Sequence, residues 1–167
     1  MVTFDMFAIV VMCLLVLYVQ RAGVALKAYR GTRLVTCPAT GLPAAVELAA
    51  WRGAMLSFFR KPALRVHQCS EWPARQGCDQ ICARQIAADP QDTLVSSIVT
   101  RWYQGKDCTC CGVALGAMHS GPHQPGLMNA ERKMIEWREI PPQDIPGALA
   151  SASPVCATCL TAETQSW

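Results

Sequence analysis

The sequence predicts a small α+β domain, zinc-ribbon-like and stapled by metal, carried on a single N-terminal transmembrane helix. Three observations predict it. Met6 to Val19 reads MFAIVVMCLLVLYV, a run without one charge. The chain beyond it breaks into short β-prone and helix-prone runs punctuated by Pro, Gly and Asp. Ten of the 167 residues are cysteine, and eight of them fall into two groups with ligand-like spacing. Charged residues make up 16%, well below the ~25% of an average soluble domain. With one candidate span, a polytopic transporter is excluded.

The apolar run extends back to Met1 and forward to Gln20 with the addition of Asp5 alone. Twenty residues at ~1.5 Å each cover the ~30 Å hydrocarbon core. A cleaved signal peptide needs positive charge before the run and small residues at a cleavage site. No Lys or Arg precedes this one, and Val19-Gln20-Arg21 is a poor cleavage context. A retained anchor is the expectation, with a signal peptide or a buried core helix as alternatives. Cys13, in mid-span, reads as a small apolar residue.

Charge fixes the orientation. Arg21, Lys27, Arg30, Arg33, Arg52, Arg60, Lys61 and Arg65 follow the anchor against Glu47 alone, whereas acidic residues outnumber basic ones from Cys69 onward. Positive charge beside a span stays cytoplasmic. The expected topology is therefore single-pass in the inner (cytoplasmic) membrane, N-terminus out, with the soluble domain in the cytoplasm. The same basic residues suit anionic lipid headgroups. Nucleic acid is not expected as a partner, because the patch directly follows a span. In a reducing compartment, clustered cysteines read as metal ligands or redox thiols rather than disulfides.

Residues 1–31 form the anchor and its juxtamembrane extension, and 32–167 the cysteine-rich domain, with possible sub-lobes 32–90 and 91–167. Ala22 to Tyr29 continues the helix toward Gly31. Arg33 to Thr36 reads as a strand, turned at Thr40-Gly41-Leu42-Pro43 so that Ala44 to Leu48 pairs back as a hairpin. Ala49 to Phe59 is helix-like until Pro62. Leu64 to Val66 is a brief strand leading into Cys69. Asp79 to Ala88 and Thr93 to Tyr103 read as amphipathic helices, the second closed by Gly105. Gly116 to Gly126 is a loop. Leu127-Met128 and Met134 to Ile140 suggest two strands, the second ended by Pro141-Pro142, and the whole tail beyond Gly105 is poorer in helix signals.

The strongest spacing is Cys108-Thr109-Cys110-Cys111-Gly112 with Cys156-Ala157-Thr158-Cys159. Each C-x-x-C puts two thiolates on one tight turn, and two such turns close a tetrahedron around zinc. Gly112 suits a turn whose N–H groups point at sulfur. The 44 residues between the pairs exceed the 15–20 of a compact ribbon, and an inserted two-stranded unit would fill them. A cluster, a redox dithiol and a metal-free reading remain open for this group. Cys37, Cys69, Cys78 and Cys82 form the second group, with Cys78 and Cys82 four apart on one helix face. Zinc, an iron–sulfur cluster, a disulfide or redox pair and inert thiols all remain open there. His119 and His123 read as loop imidazoles, His67 as a neighbour of Cys69, and the five tryptophans as core or interface residues.

Further motifs accompany the cysteines: Cys37-Pro38-x-Thr40-Gly41-x-Pro43, Cys69-Ser70-x-Trp72-Pro73-x-Arg75, Arg101-Trp102-Tyr103-x-Gly105-Lys106, Glu136-Trp137-x-Glu139-Ile140-Pro141 and Pro154-Val155-Cys156-x-x-Cys159. Together they resemble an uncharacterised group of small bacterial cysteine-rich proteins. The resemblance, running from about Leu34 to the tail, implies that the paired cysteines act together as metal ligands. It also implies a final pair often written C-x-x-C-H, as at a haem c attachment site; here Leu160 stands in the histidine's place.

No phosphate-binding loop, nucleophile elbow, zincin helix or dinucleotide fingerprint occurs, and no cysteine has an evident His and Asx pair. An enzyme is not expected. The expectation is a zinc-binding structural or interaction protein, an accessory subunit or assembly factor of a larger membrane complex. An iron–sulfur electron carrier is the alternative and a thiol-disulfide protein the third reading. The last is disfavoured because Cys156-x-x-Cys159 lacks an evident preceding strand and following helix.

Overall fold

A computed structural model describes residues 2–49, 64–72, 74, 77–116 and 124–164. Mixed helix and sheet are present as expected. Helix α1 runs Val2–Tyr29, and its window Ile9–Tyr29 is long and apolar enough to cross a membrane, with none of it buried against the rest of the chain. Phe7, Ile9, Met12, Leu15 and Val19 are each more than half exposed, so apolar surface faces outward all round. The helix ends at Gly31, whose φ of +101° reverses the chain just after the Arg30 N–H donates to the Leu26 carbonyl at 3.0 Å.

Strand β1 (Arg33–Thr36) pairs antiparallel with β2 (Pro43–Leu48), which pairs antiparallel with β3 (Val66–Cys69). The hairpin was expected; β3 lies two residues later than the expected Leu64–Val66. Val35, Ala44, Val46 and Val66 form the inner face, packed on Ala83 and Ile86 of α2 (Ala83–Ala88). That helix was expected from Asp79. It starts later because Gln80 sits at φ +51° and its side-chain carbonyl accepts from the Val66 N–H at 3.0 Å, pinning the loop to β3. Gln85 holds α2 to β1 through a paired amide, accepting from the Thr36 N–H at 3.0 Å and donating to its carbonyl at 2.7 Å. The helix expected over 49–59, with Trp51, lies outside the described residues beyond Ala49.

Arg33 corrects the charge reading. It was counted in the basic face, yet it is 0% exposed. Its guanidinium donates to the Ala28 carbonyl near the end of α1 and, at 3.4 Å, to the Thr93 hydroxyl. Carbonyls in a last helical turn have no intrahelical partner, and a cation there is favoured by the helix dipole. Arg33 is therefore spent on the joint between helix and domain. Arg21, Lys27, Arg30 and Arg65 remain exposed; Arg52, Arg60 and Lys61 lie outside the described residues.

Helix α3 (Val95–Tyr103) buries Val95, Val99 and Tyr103 at four-residue spacing and is closed, as expected, at Gly105 with φ +70°. Its start lies along the free edge of β1: Leu34 N–H donates to Thr93, and Val95 N–H to Thr32. A small hairpin follows, β4 (Lys106–Asp107) with β5 (Ala114–Leu115). In the last sheet β6 (Gly126–Met128) is central, flanked antiparallel by β7 (Met134–Glu136) and β8 (Ser153–Val155).

The strand expected over Met134–Ile140 stops at Glu136, and Trp137–Glu139 turns as a 3₁₀ helix. That turn, with its three-residue period, sets Trp137 and Ile140 together against the core of Val95, Val99, Tyr103, Leu127 and Ile145. A second 3₁₀ turn (Pro142–Asp144), α4 (Ile145–Ser151) and α5 (Ala157–Thr164) complete the chain. The expectation of a helix-poor tail is thereby corrected. These helices are too short, and α4 too marked by Pro146 and Gly147, to show a 3.6-residue pattern.

Candidate metal centre

Cys108 follows β4 and opens the turn that leads into β5. Its N–H donates to the Val113 carbonyl and its carbonyl accepts from the Gly112 N–H, both at 2.8 Å, with Gly112 at φ +71°. Only a residue tolerant of positive φ fits this corner. Cys156 arrives from the other direction: β8 carries it back across β6, and it stands immediately before α5. Thr109 N–H donates to the Pro154 carbonyl at 2.9 Å and Cys156 N–H to the Cys108 sulfur at 3.2 Å, locking the two turns together.

The sulfurs of Cys108, Cys111, Cys156 and Cys159 all lie within 4.8 Å of one another. Cys111 and Cys156 approach to 3.6 Å. Four thiolates on a tetrahedral zinc at ~2.3 Å stand about 3.8 Å apart, so the set needs little adjustment to hold such an ion. Cys110, between two of the ligands, is exposed and outside the set. The 44-residue gap is filled by the three-stranded sheet itself. β8 is the third strand, and its pairing with β6 returns the second cysteine pair to the first.

Burial opposes ionisation of Cys108, but the N–H groups of Cys156, Cys111 and Cys110 and the Cys111 thiol outweigh it and lower its pKa to about 6. Hydrogen bonding to the charged form thus favours the Cys108 thiolate. Cys159 is pushed the other way by its sulfur neighbours Cys156 and Cys111, which cannot all carry charge at once. A thiophilic cation that replaces the protons would relieve this mutual opposition. The Cys156 sulfur also accepts from the Cys159 N–H at 3.4 Å at the start of α5.

The second group is placed differently. Cys37, Cys69, Cys78 and Cys82 line one cavity of about 400 Å³ with Pro38, Trp72 and Gln80, above the first core. They are not drawn into a group as tight as the first. Cys78 is exposed, and the other three are half-buried. The Cys37 thiol is held below its ordinary value by the Thr40 side chain, then by the N–H groups of Ala39 and Thr40. Burial, and then the neighbouring cysteines, push Cys82 up; burial also raises Cys69. His67 is exposed on β3; His119, His123 and Trp167 lie outside the described residues. No disulfide joins any of the ten cysteines.

Two features of the sites escaped the sequence reading. The strands bracketing the first turn are two residues each, yet Lys106-Asp107 before the turn and Val113-Ala114-Leu115 after it were the available signal. The sequence signals neither the strand before Cys156 nor the helix after it, yet β8 ends at Val155 and α5 begins at Ala157 and carries Cys159. The strand and helix that a dithiol motif needs are therefore in place around Cys156 and Cys159.

Comparison of the chain with protein-family models, with curated proteins and with solved structures finds no match. What stands is a class: a mixed α and β chain with one helix apolar enough for a bilayer and four cysteines set close enough to hold a metal ion.

Proposed function

We propose that this chain is a single-pass protein of the inner membrane whose cytoplasmic domain is folded around zinc at Cys108, Cys111, Cys156 and Cys159 and serves as an interaction module, an accessory subunit or assembly factor of a larger membrane complex. One observation carries the reading. Four sulfurs from two segments 44 residues apart lie within 4.8 Å of one another, joined by hydrogen bonds between the turns. Zinc suits the set, since it is d¹⁰, takes four sulfurs and supplies ~10–16 kcal/mol of folding free energy in small domains. Three small hydrophobic clusters form the interior, and such cores gain much from a staple. The membrane assignment rests on the apolar surface all around α1, which nothing in the described chain covers, and on the basic residues that follow it.

The test is a metal count. The full-length protein, purified in mild detergent, is expected to carry zinc at these four cysteines, and the Cys108→Ser/Cys156→Ser pair to lose that equivalent. Protein free of any metal overturns the reading. A second reading is favoured by the strand–Cys156-x-x-Cys159–helix arrangement, that of a reversible dithiol. Metal-free protein with a disulfide between Cys156 and Cys159 that dithiothreitol opens would establish it. An iron–sulfur cluster would declare itself in the same count through iron and acid-labile sulfide.

A further inference from the structure

The turn at Cys37 repeats the turn at Cys108. Cys108 N–H donates to Val113, five residues on, at 2.8 Å, and Gly112 N–H returns to the Cys108 carbonyl at 2.8 Å. Cys37 N–H donates to Leu42, also five residues on, at 2.9 Å, and Gly41 N–H returns to the Cys37 carbonyl at 2.8 Å. Gly112 and Gly41 both sit at φ +71°. Each turn joins two antiparallel strands, β4 to β5 and β1 to β2. The sequences align as Cys-x-x-Cys-Gly and Cys-x-x-Thr-Gly, so Thr40 occupies the place of Cys111. One thiolate of a knuckle is retained and the other is replaced.

The remaining sulfurs of a four-ligand set are supplied from outside that turn. Cys69 ends β3, two strands away in the same sheet, and opens a turn of its own in which Trp72 N–H donates to the Cys69 carbonyl at 3.0 Å. Cys82 stands directly before α2, whose Ala83 and Ile86 are fixed in the first core. Between them, Gly77 at φ +90° and Gln80 at φ +51° bend the segment carrying Cys78. All four cysteines line the same cavity of about 400 Å³. The indole N–H of Trp72, which also lines it, is buried without a partner among the described residues. An indole N–H is a donor only, and a cysteine sulfur carrying a metal is an acceptor for it.

We infer that Cys37, Cys69, Cys78 and Cys82 form a second metal centre, for one thiophilic divalent ion such as zinc, built on a half-knuckle and less enclosed than the first, since none of its four sulfurs belongs to a buried residue. Three of its ligands sit on the sheet and the start of α2. Cys78, exposed on the bent segment, is the one that closes the site. Its shallower burial sets its character: solvent and competing ligands reach this ion more readily than the first, where Cys111 is exposed but Cys108 and Cys156 are buried. The first centre is the staple and the second is the exchangeable site. This second site stands on its own geometry and does not depend on the role proposed for the first.

Full-length protein in mild detergent, stripped and reloaded with zinc alone, should bind two equivalents. A competing chelator should remove them in two phases. Cys37→Ser/Cys69→Ser should lose the fast phase and keep the slow one. Cys78→Ser changes an exposed side chain, so the fold survives, and it should abolish or weaken only the fast equivalent. Loss of the slow equivalent alone in Cys108→Ser/Cys156→Ser would identify the two phases separately. The inference is overturned if the protein binds one equivalent, if Cys78→Ser and Cys37→Ser/Cys69→Ser keep both phases unchanged, or if the isolated protein holds iron and sulfide at these cysteines.

Discussion

The Tyr103 hydroxyl donates to the Gly126 carbonyl at 2.7 Å, with both residues sealed from solvent. This bond ties α3 to the central strand of the last sheet, and that strand brings Cys156 back to Cys108. The strand that leads to the metal centre is thus tied to the second core by this polar contact as well as by Leu127, which packs in that core.

Gly126 also has no room for a side chain. A Cβ there would stand 2.9 Å from the Ile135 carbonyl and 2.9 and 3.0 Å from the Leu160 methyls. Gly126→Ala is expected to cost about 1–3 kcal/mol by overpacking. Because Leu160 directly follows Cys159, the variant should also hold metal at the first centre more weakly. Thermal melting and chelator competition measure the two effects. A lowered Tm with unchanged metal affinity would show that the strain is absorbed before it reaches α5.

Burial raises the Tyr103 phenol above its ordinary value. A group whose folded pKa is raised gives stability that is full below its unfolded pKa, ~10 for tyrosine, and is lost as pH rises beyond it. Stability should therefore show no Tyr103 dependence near neutrality and fall on the alkaline side. Tyr103→Phe should cost about 0.5–1.5 kcal/mol near pH 7, through the lost hydrogen bond and a stranded Gly126 carbonyl, and should reduce the alkaline fall. Urea midpoints near pH 7 and above the unfolded tyrosine pKa of ~10, compared between the proteins, test this.

Arg33 joins helix to domain, which makes truncation informative. Removing residues 1–20 leaves Ala28 and its bond to Arg33 in place, and the product should fold and load metal. Removing 1–31 exposes a guanidinium built to be buried, and its Tm should be lower than that of the shorter truncation. Arg33→Ala in the full chain should cost about 2–4 kcal/mol, through a cavity and an uncapped helix end, and Arg33→Lys should not restore it. Equal Tm values for the two truncations would assign the contact no weight.

Stripping the metal should change the thiols. With Cys111 and Cys156 sulfurs 3.6 Å apart, metal-free protein in air should form a disulfide among the four, while metal-loaded protein keeps them reduced. Thiol counting and intact mass, with loss of two hydrogens per bond, follow it. If the metal-free protein keeps every thiol after prolonged aeration, the cysteines are not held together in solution.

The chain lacking residues 1–20 should bind anionic vesicles weakly through Arg21, Lys27, Arg30 and Arg65, with affinity falling as salt rises. Arg33→Met should leave that binding unchanged, because the guanidinium is enclosed. Indifference to vesicles at low salt would move the basic stretch from a lipid to a protein interface.

Local chemistry was legible in the sequence, and long-range pairing was not. β1 was read to the residue and the hairpin to within one, since Thr40-Gly41-Leu42-Pro43 punctuates them. The C-x-x-C pairs were readable because a turn is a property of five adjacent residues. How the 44-residue gap closes was not, because Met128↔Ser153 pairing joins strands of three residues with no distinctive pattern. Arg33 was misread for the same reason: an arginine is exposed by default, and only the return of 93–95 along β1 buries it.

Between the end of α1 at Tyr29 and the start of β1 at Arg33 lie three residues, and Arg33 bonds back across them to Ala28. A fully extended chain of that length reaches only about 10 Å. If α1 lies in a bilayer, the domain has almost no tether. It would sit at a set height with a set face downward, and its encounters would take place in two dimensions. A partner in the same membrane would then meet it already oriented, without the rotational search that a long linker imposes.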